Sequence, residues 1–200
     1  MGCTESIGTA VAGMRGNNVH IANLSKSPRF SSEQISELRR TWPKLACDLT
    51  GNGAQVFLQI FAINENIKIL FPFRYVPVDI LSQNEVFRGH SRRFMQAVGA
   101  CVENLENLDG DVTTLFVGLG KKHIHFEGFK VDYFSTYVTS MQTVWDIALT
   151  GHHYDKQTKQ SWTQIFEFVI TRMAEGYHIA MDEQEAKKKN QLAHENGKII

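Results

Sequence analysis

The sequence predicts an all-α protein. Across residues 31–181, apolar positions recur every three or four residues, the spacing that lines one face of a helix. Alternating runs of β-branched residues, the mark of a half-buried strand, do not occur. Helix-starting and helix-breaking residues fall between the periodic stretches.

Ser31 with Gln34 three positions on has the form of a capping box, in which each side chain bonds the other residue's backbone N–H. Ile35, Leu38, Trp42 and Leu45 then share one face. Pro43 lies inside that pattern and predicts a kink, because it has no N–H and crowds the carbonyl one turn back. Gly51-Asn52 is expected to break the chain before a second face of Gly53, Phe57, Ile60 and Phe61. A third face runs Phe87, His90, Phe94, Val98. Asp109-Gly110 breaks the chain again, and a short helix carries Leu115, Leu119 and His123. Two longer amphipathic stretches follow. One covers about residues 130–149, and the other carries Trp162, Ile165, Phe166, Val169, Ile170, Met173 and Tyr177.

The flanks lack this periodicity. Residues 1–30 are rich in Gly, Ser and Asn, and read as a flexible N-terminal arm. Residues 182–200 carry Asp182, Glu183, Glu185 and the run Lys187–Lys189 with few apolar anchors, and read as a charged C-terminal tail. Domain organisation is therefore an arm (1–30), one helical domain (31–181) and a tail (182–200).

Composition narrows the functional classes. The 200 residues are 42% apolar, enough for one full core. The 21 basic and 21 acidic residues cancel without a basic stripe, which argues against a nucleic-acid partner. Cys3, Cys47 and Cys101 form neither a CxxC pair nor a disulfide framework, as expected in a reducing compartment. No apolar run approaches the ~18 residues needed to cross a bilayer, and the start of the chain lacks the apolar stretch of a secretory signal.

Two histidines stand out by position. His90 sits on an apolar face between Phe87 and Phe94, and His123 closes the segment Phe116–Lys122. Each alone reads more readily as a hydrogen-bonded core histidine than as a ligand. Together they place one imidazole on each of two helices among phenylalanines. Imidazole is a good iron ligand, and an apolar shell suits the flat face of haem. There is no CxxCH for covalent attachment.

With these residues the sequence resembles the globin family over about residues 31–181. Asn64–Phe73 resembles the corner that follows the family's second helix, with Phe71 matching the phenylalanine that packs on haem. Phe57 matches a bulky residue over the distal side. Gly53 matches the small residue where the family's second and fifth helices cross, and Trp42 the tryptophan of its first helix. His90, 19 residues after Phe71, resembles the distal histidine. Leu119-Gly120-Lys121-Lys122-His123 resembles the neuroglobin-type segment that ends in the proximal histidine, 33 residues after His90. Ser161–Tyr177 resembles the last globin helix. His125 is a rival ligand, disfavoured because Leu115 and Leu119 precede His123 at helical spacing. Globins often have proline where Glu65 stands, and the stretch from Phe71 to His90 is a little short. Phe94 is larger than the family's usual valine or leucine, so crowding of the distal side is expected.

The resemblance implies a globin fold, a helical sandwich around a haem pocket. It implies haem b with His123 as proximal iron ligand and His90 as either a second iron ligand or a hydrogen-bond donor to bound gas. Phe71, Phe57, Phe94 and Leu119 would line the cofactor, and Arg93 would reach a propionate. Oxygen or another diatomic gas is the implied ligand, with an electron-transfer partner if the iron works in redox chemistry. Bulky Phe57 and Phe94 favour six-coordinate, bis-histidine iron with a redox or sensing role. Five-coordinate oxygen storage or transport stays open, as does a haem enzyme acting on nitrite or nitric oxide through an outside reductase. A helical scaffold that has lost haem is a further alternative, disfavoured because both histidines are present.

Met1-Gly2-Cys3-Thr4-Glu5-Ser6 fits the myristoylation pattern M-G-x-x-x-[ST]. One myristoyl chain binds membranes marginally, and palmitoylation of Cys3 would supply the second signal. Such acylated starts resemble those of the globin X lineage. They imply attachment to the cytoplasmic face of a membrane, the plasma membrane first, with a cytoplasmic protein as the alternative.

Overall fold

The computed structural model describes residues 29–196, in which the regular elements are helical throughout. Gly2 and Cys3 lie outside the described residues. The first helix, α1 (Ser32–Ala46), begins at the expected capping box. Ser31 Oγ accepts from the Gln34 N–H at 3.3 Å, and Gln34 Oε1 accepts from the Ser31 N–H at 2.9 Å. The helix continues through Pro43 for another turn, and the Cys47 N–H closes it on the Pro43 carbonyl.

Helix α2 (Leu49–Ile63) starts earlier than the sequence suggests. The break falls at Asp48, not at Gly51-Asn52, because the Asp48 carboxylate caps the helix by accepting from the Gly51 N–H at 2.7 Å. Gly51 thus sits in the first turn, where a Cβ would come within 2.1 Å of Asp48 Oδ2. Two 3₁₀ turns, Glu65–Leu70 and Val78–Gln83, lead to α3 (Glu85–Glu103), capped by the Asn84 side chain. Helix α4 (Asp111–Lys122) follows the Asp109-Gly110 break and passes into a 3₁₀ turn at His123–His125. Helix α5 is Tyr133–Ala148, and α6 is Lys156–Asn196.

Two close helix pairs form the frame. In the first, α2 crosses α3 at Gly53, where a Cβ would stand 2.3 Å from the Ser91 carbonyl oxygen. In the second, α4 crosses α6 through two glycines. A Cβ on Gly120 would lie 2.0 Å from the Met173 carbonyl oxygen, and one on Gly176 would lie 2.0 Å from the Val117 carbonyl oxygen. Helix α5 packs against both α2 and α6 and joins the pairs. The core between them holds Trp145, Trp162, Phe166 and Phe87, all fully buried. Phe30, the last residue of the expected arm, is buried there too. Trp162 Nε1 donates to Thr41 Oγ1 at 3.0 Å, which ties α6 to α1 inside the core.

The charged stretch after residue 181 continues α6 to Asn196, with residues 182–192 exposed. Lys121 Nζ meets Glu183 Oε1 at 2.7 Å and fixes the first part of that extension beside the end of α4.

Candidate functional site

The frame brings His90 on α3 and His123 after α4 into one region, close enough that a charge on His123 acts on His90. Each imidazole has its own collar of aromatic rings. Phe57 and Phe71 stand edge-on to His90, with ring centres 4.7 and 5.1 Å away. Phe94 lies 5.1 Å from Phe57, one turn along α3, and so crowds the His90 side as expected. Phe71 stacks on Phe73 at 4.9 Å, which steadies it from behind.

Around His123 the collar is Phe129 at 4.8 Å, Phe134 at 5.1 Å and Phe126 at 5.5 Å. The sequence reading missed all three. They lie in the bent connection and the first turn of α5, where no helical period flags them; the aromatic spacing Phe126, Phe129, Phe134 was the available signal. Tyr177 of α6 backs Phe129 at 5.5 Å.

The hydrogen bonding of His123 assigns its nitrogens. Nδ1 lies 2.8 Å from the Leu119 carbonyl oxygen. A carbonyl only accepts, so Nδ1 carries the proton and donates. Nε2 is then left with a lone pair, the arrangement a metal-ligating histidine needs. The ring nitrogens of His90 meet no hydrogen-bond partner among the described residues.

Electrostatics keep both rings neutral at neutral pH. Burial is the largest cause that lowers the pKa of His90 to about 4, with Arg93 and then His123 adding to it. Burial also lowers His123, while the bond to Leu119 opposes that shift. Leu119 is half-buried one turn before His123, so it serves both through its carbonyl and as apolar lining. Arg93 is exposed, near enough to bias His90 and free to reach an anionic group at the rim. His125 is exposed, because the chain leaves α4 in a 3₁₀ turn that aims it away.

Two buried polar groups lie behind the His90 collar. Tyr137 packs edge-on against Phe94 at 5.6 Å, and its hydroxyl is buried without a partner. Burial pushes the Cys101 thiol up to about 12, so it stays a neutral thiol. Cys47 is exposed at the end of α1.

The Globin family model matches residues 54–173, and the chain belongs to the globin family, whose members bind haem and oxygen. It is similar to Globin-1 subunit beta of Anadara trapezia, with 24% identity over 149 residues, 74% of this chain and 95% of that protein. Hemoglobin subunit alpha-D of Turdus merula is 24% identical over the same share of this chain and 99% of its own length. Among solved structures, the chain resembles a hexacoordinated heme protein from an anhydrobiotic tardigrade. The TM-score is 0.69 at 19% identity, covering 76% of this chain and 97% of that one. It also resembles the Drosophila melanogaster globin, with a TM-score of 0.66 at 20% identity, covering 72% and 93%. These likenesses place the chain in the globin fold.

The residues present fit a haem. The donor set is two neutral imidazoles, one with its second nitrogen already engaged by a carbonyl, and both stand among apolar rings.

Proposed function

We propose that the protein binds haem b between His90 and His123, in a six-coordinate resting state, and takes oxygen or another diatomic ligand in a redox or sensing role. The observation that carries this reading is the pair of half-buried imidazoles brought into one region, each in a phenylalanine collar. When bound, haem supplies an iron that takes diatomic gases and moves between ferrous and ferric states. His123 holds it through Nε2, oriented by the Leu119 carbonyl. Among the described residues His90 has no hydrogen bond that would hold it away from an iron, and Phe57 and Phe94 leave little room beside it. With His90 on the iron, an incoming ligand would have to displace it, which would lower apparent affinity by the fraction of open form. Phe71 would pack on the haem face, and the exposed Arg93 would pair with a propionate. Two solved structures similar to this chain are described as hexacoordinate, one from a tardigrade and one from Drosophila melanogaster, which adds weight.

The spectrum of the dithionite-reduced protein tests this. Six-coordination gives sharp low-spin bands, and His90→Leu converts them to the broad high-spin deoxy form. A reduced spectrum that His90→Leu leaves unchanged overturns the His90–iron bond.

The second part of the proposal is membrane attachment through myristate on Gly2 and palmitate on Cys3, at the cytoplasmic face. Feeding cells a myristate analogue tests it, with label expected on the wild type and absent from Gly2→Ala. Equal labelling of the two removes the acyl anchor.

A further inference from the structure

Of the eleven large apolar side chains left exposed among the described residues, six come from the stretch between Ile63 and Val86. Single exposed apolar residues need no explanation, but a cluster this local marks a contact surface. The stretch frames an open groove of about 540 Å³ between the end of α2 and the 3₁₀ turns, walled by Leu58, Phe61, Ile69 and Val78 and edged by Glu65, Lys68 and Arg74. Ile69 is 60% exposed, and Tyr75 beside the groove is 85% exposed with the Arg74 guanidinium 4.8 Å over its ring.

The groove carries two cations, Lys68 and Arg74, against one carboxylate, Glu65. Lys68 Nζ donates to the Arg74 and Val76 carbonyls at 2.7 Å each, so its position is fixed while its charge meets no carboxylate. Among the described residues, neither Arg74 nor Arg88 forms an ion pair.

We propose that this face rests on an anionic phospholipid bilayer, with Ile69, Tyr75 and Val78 entering among the headgroups and Lys68 and Arg74 at the phosphates. A bilayer satisfies both features at once. Apolar tips and a tyrosine settle at headgroup depth, and cations stay at the charged surface. A shallow open groove needs no partner of matching shape. The inference deepens the membrane reading above, yet it is tested without acyl chains. His90 lies on α3 just beyond this stretch, so the haem side of the protein would lie close to the lipid.

The test uses full-length haem-loaded protein carrying Gly2→Ala, sedimented with phosphatidylcholine vesicles with and without phosphatidylserine. Binding is expected only with phosphatidylserine, weakening as salt is raised. Ile69→Glu is expected to weaken it about tenfold and Arg74→Glu about fivefold or more. Both positions are exposed, and an unchanged Soret band and circular dichroism check folding. Failure to bind phosphatidylserine vesicles, equal binding to both vesicle types, or binding that neither variant weakens overturns the proposal. So does an Ile69→Glu change from dimer to monomer in sedimentation velocity with vesicle binding intact, which would make the face a protein interface. Acylation is read separately by the label on Gly2, so either idea can fail alone.

Discussion

The bond from the His123 Nδ1–H to the Leu119 carbonyl decides what the other ring nitrogen can do. Replacing His123 with Gly removes the Nε2 ligand, so purified His123→Gly is expected to lose its Soret band and to regain it when imidazole is added. His90 sets the pH response of the haem-free protein. Its folded-state pKa, about 4, lies below the ~6.5 of an unfolded histidine. The unfolded chain therefore binds the extra proton first. Stability is full above pH ~6.5 and falls as pH drops toward ~4, by up to roughly 3 kcal/mol. Urea titrations of haem-free protein across that range should show the loss, and His90→Leu should flatten it. In the core, Thr41→Val strands the Trp162 N–H and should cost about 1–3 kcal/mol, measured by thermal melting. At this scale the sequence was informative where a helix carried the residue. Leu119 sits four residues before His123, which separates it from His125, exposed in the turn that follows. The collar of Phe126, Phe129 and Phe134 was not legible, because it forms only when a bent connection folds back over the turn.

Among the elements, three glycines set the closest approaches. Gly53 was readable through the resemblance to the globin family, where a small residue stands at that crossing. Gly120 and Gly176 were not, because each clashes with a backbone carbonyl on the other's helix, which only the paired helices reveal. Gly120→Ala and Gly176→Ala each drive a Cβ into a carbonyl oxygen at 2.0 Å, and the helices must part. A loss of about 3 kcal/mol or more is expected for each, with weaker haem retention. Gly51→Ala meets only the Asp48 side chain, which can swing away. Its cost should stay near the ~1 kcal/mol of a lost cap. Guanidinium melts of the three variants side by side check the contrast. The Gly51-Asn52 break was misplaced for the same reason. Glycine is a breaker in isolation, but an aspartate three residues earlier supplies the cap that starts the helix.

For the whole molecule, the chain divides by burial. The extension of α6 past Glu183 is exposed, so deleting residues 184–200 should leave the Soret spectrum unchanged and shift the melting temperature by only about 2 °C or less. The pair Lys121–Glu183 is itself half exposed and contributes little to stability. Its charges read as a tail because no apolar face anchors them, while the helix they continue is already nucleated by the core. The all-helical architecture was legible because each helix carries its own apolar stripe. The length of α6 was not, since its charged extension carries no apolar stripe that reads as helix.

The reciprocal contact between α4 and α6 couples the site mechanically to that exposed end. Backbone touches backbone at both Gly120 and Gly176, with no side chain between to take up a shift. The two helices are therefore tightly apposed, and a displacement of the end of α4 would press directly on α6. From Tyr177 to Asn196 the helix is roughly 30 Å long, so one degree of tilt at its base moves its tip by about half an ångström. Any tilt at the base of α6 would thus appear enlarged at the tip of the extension.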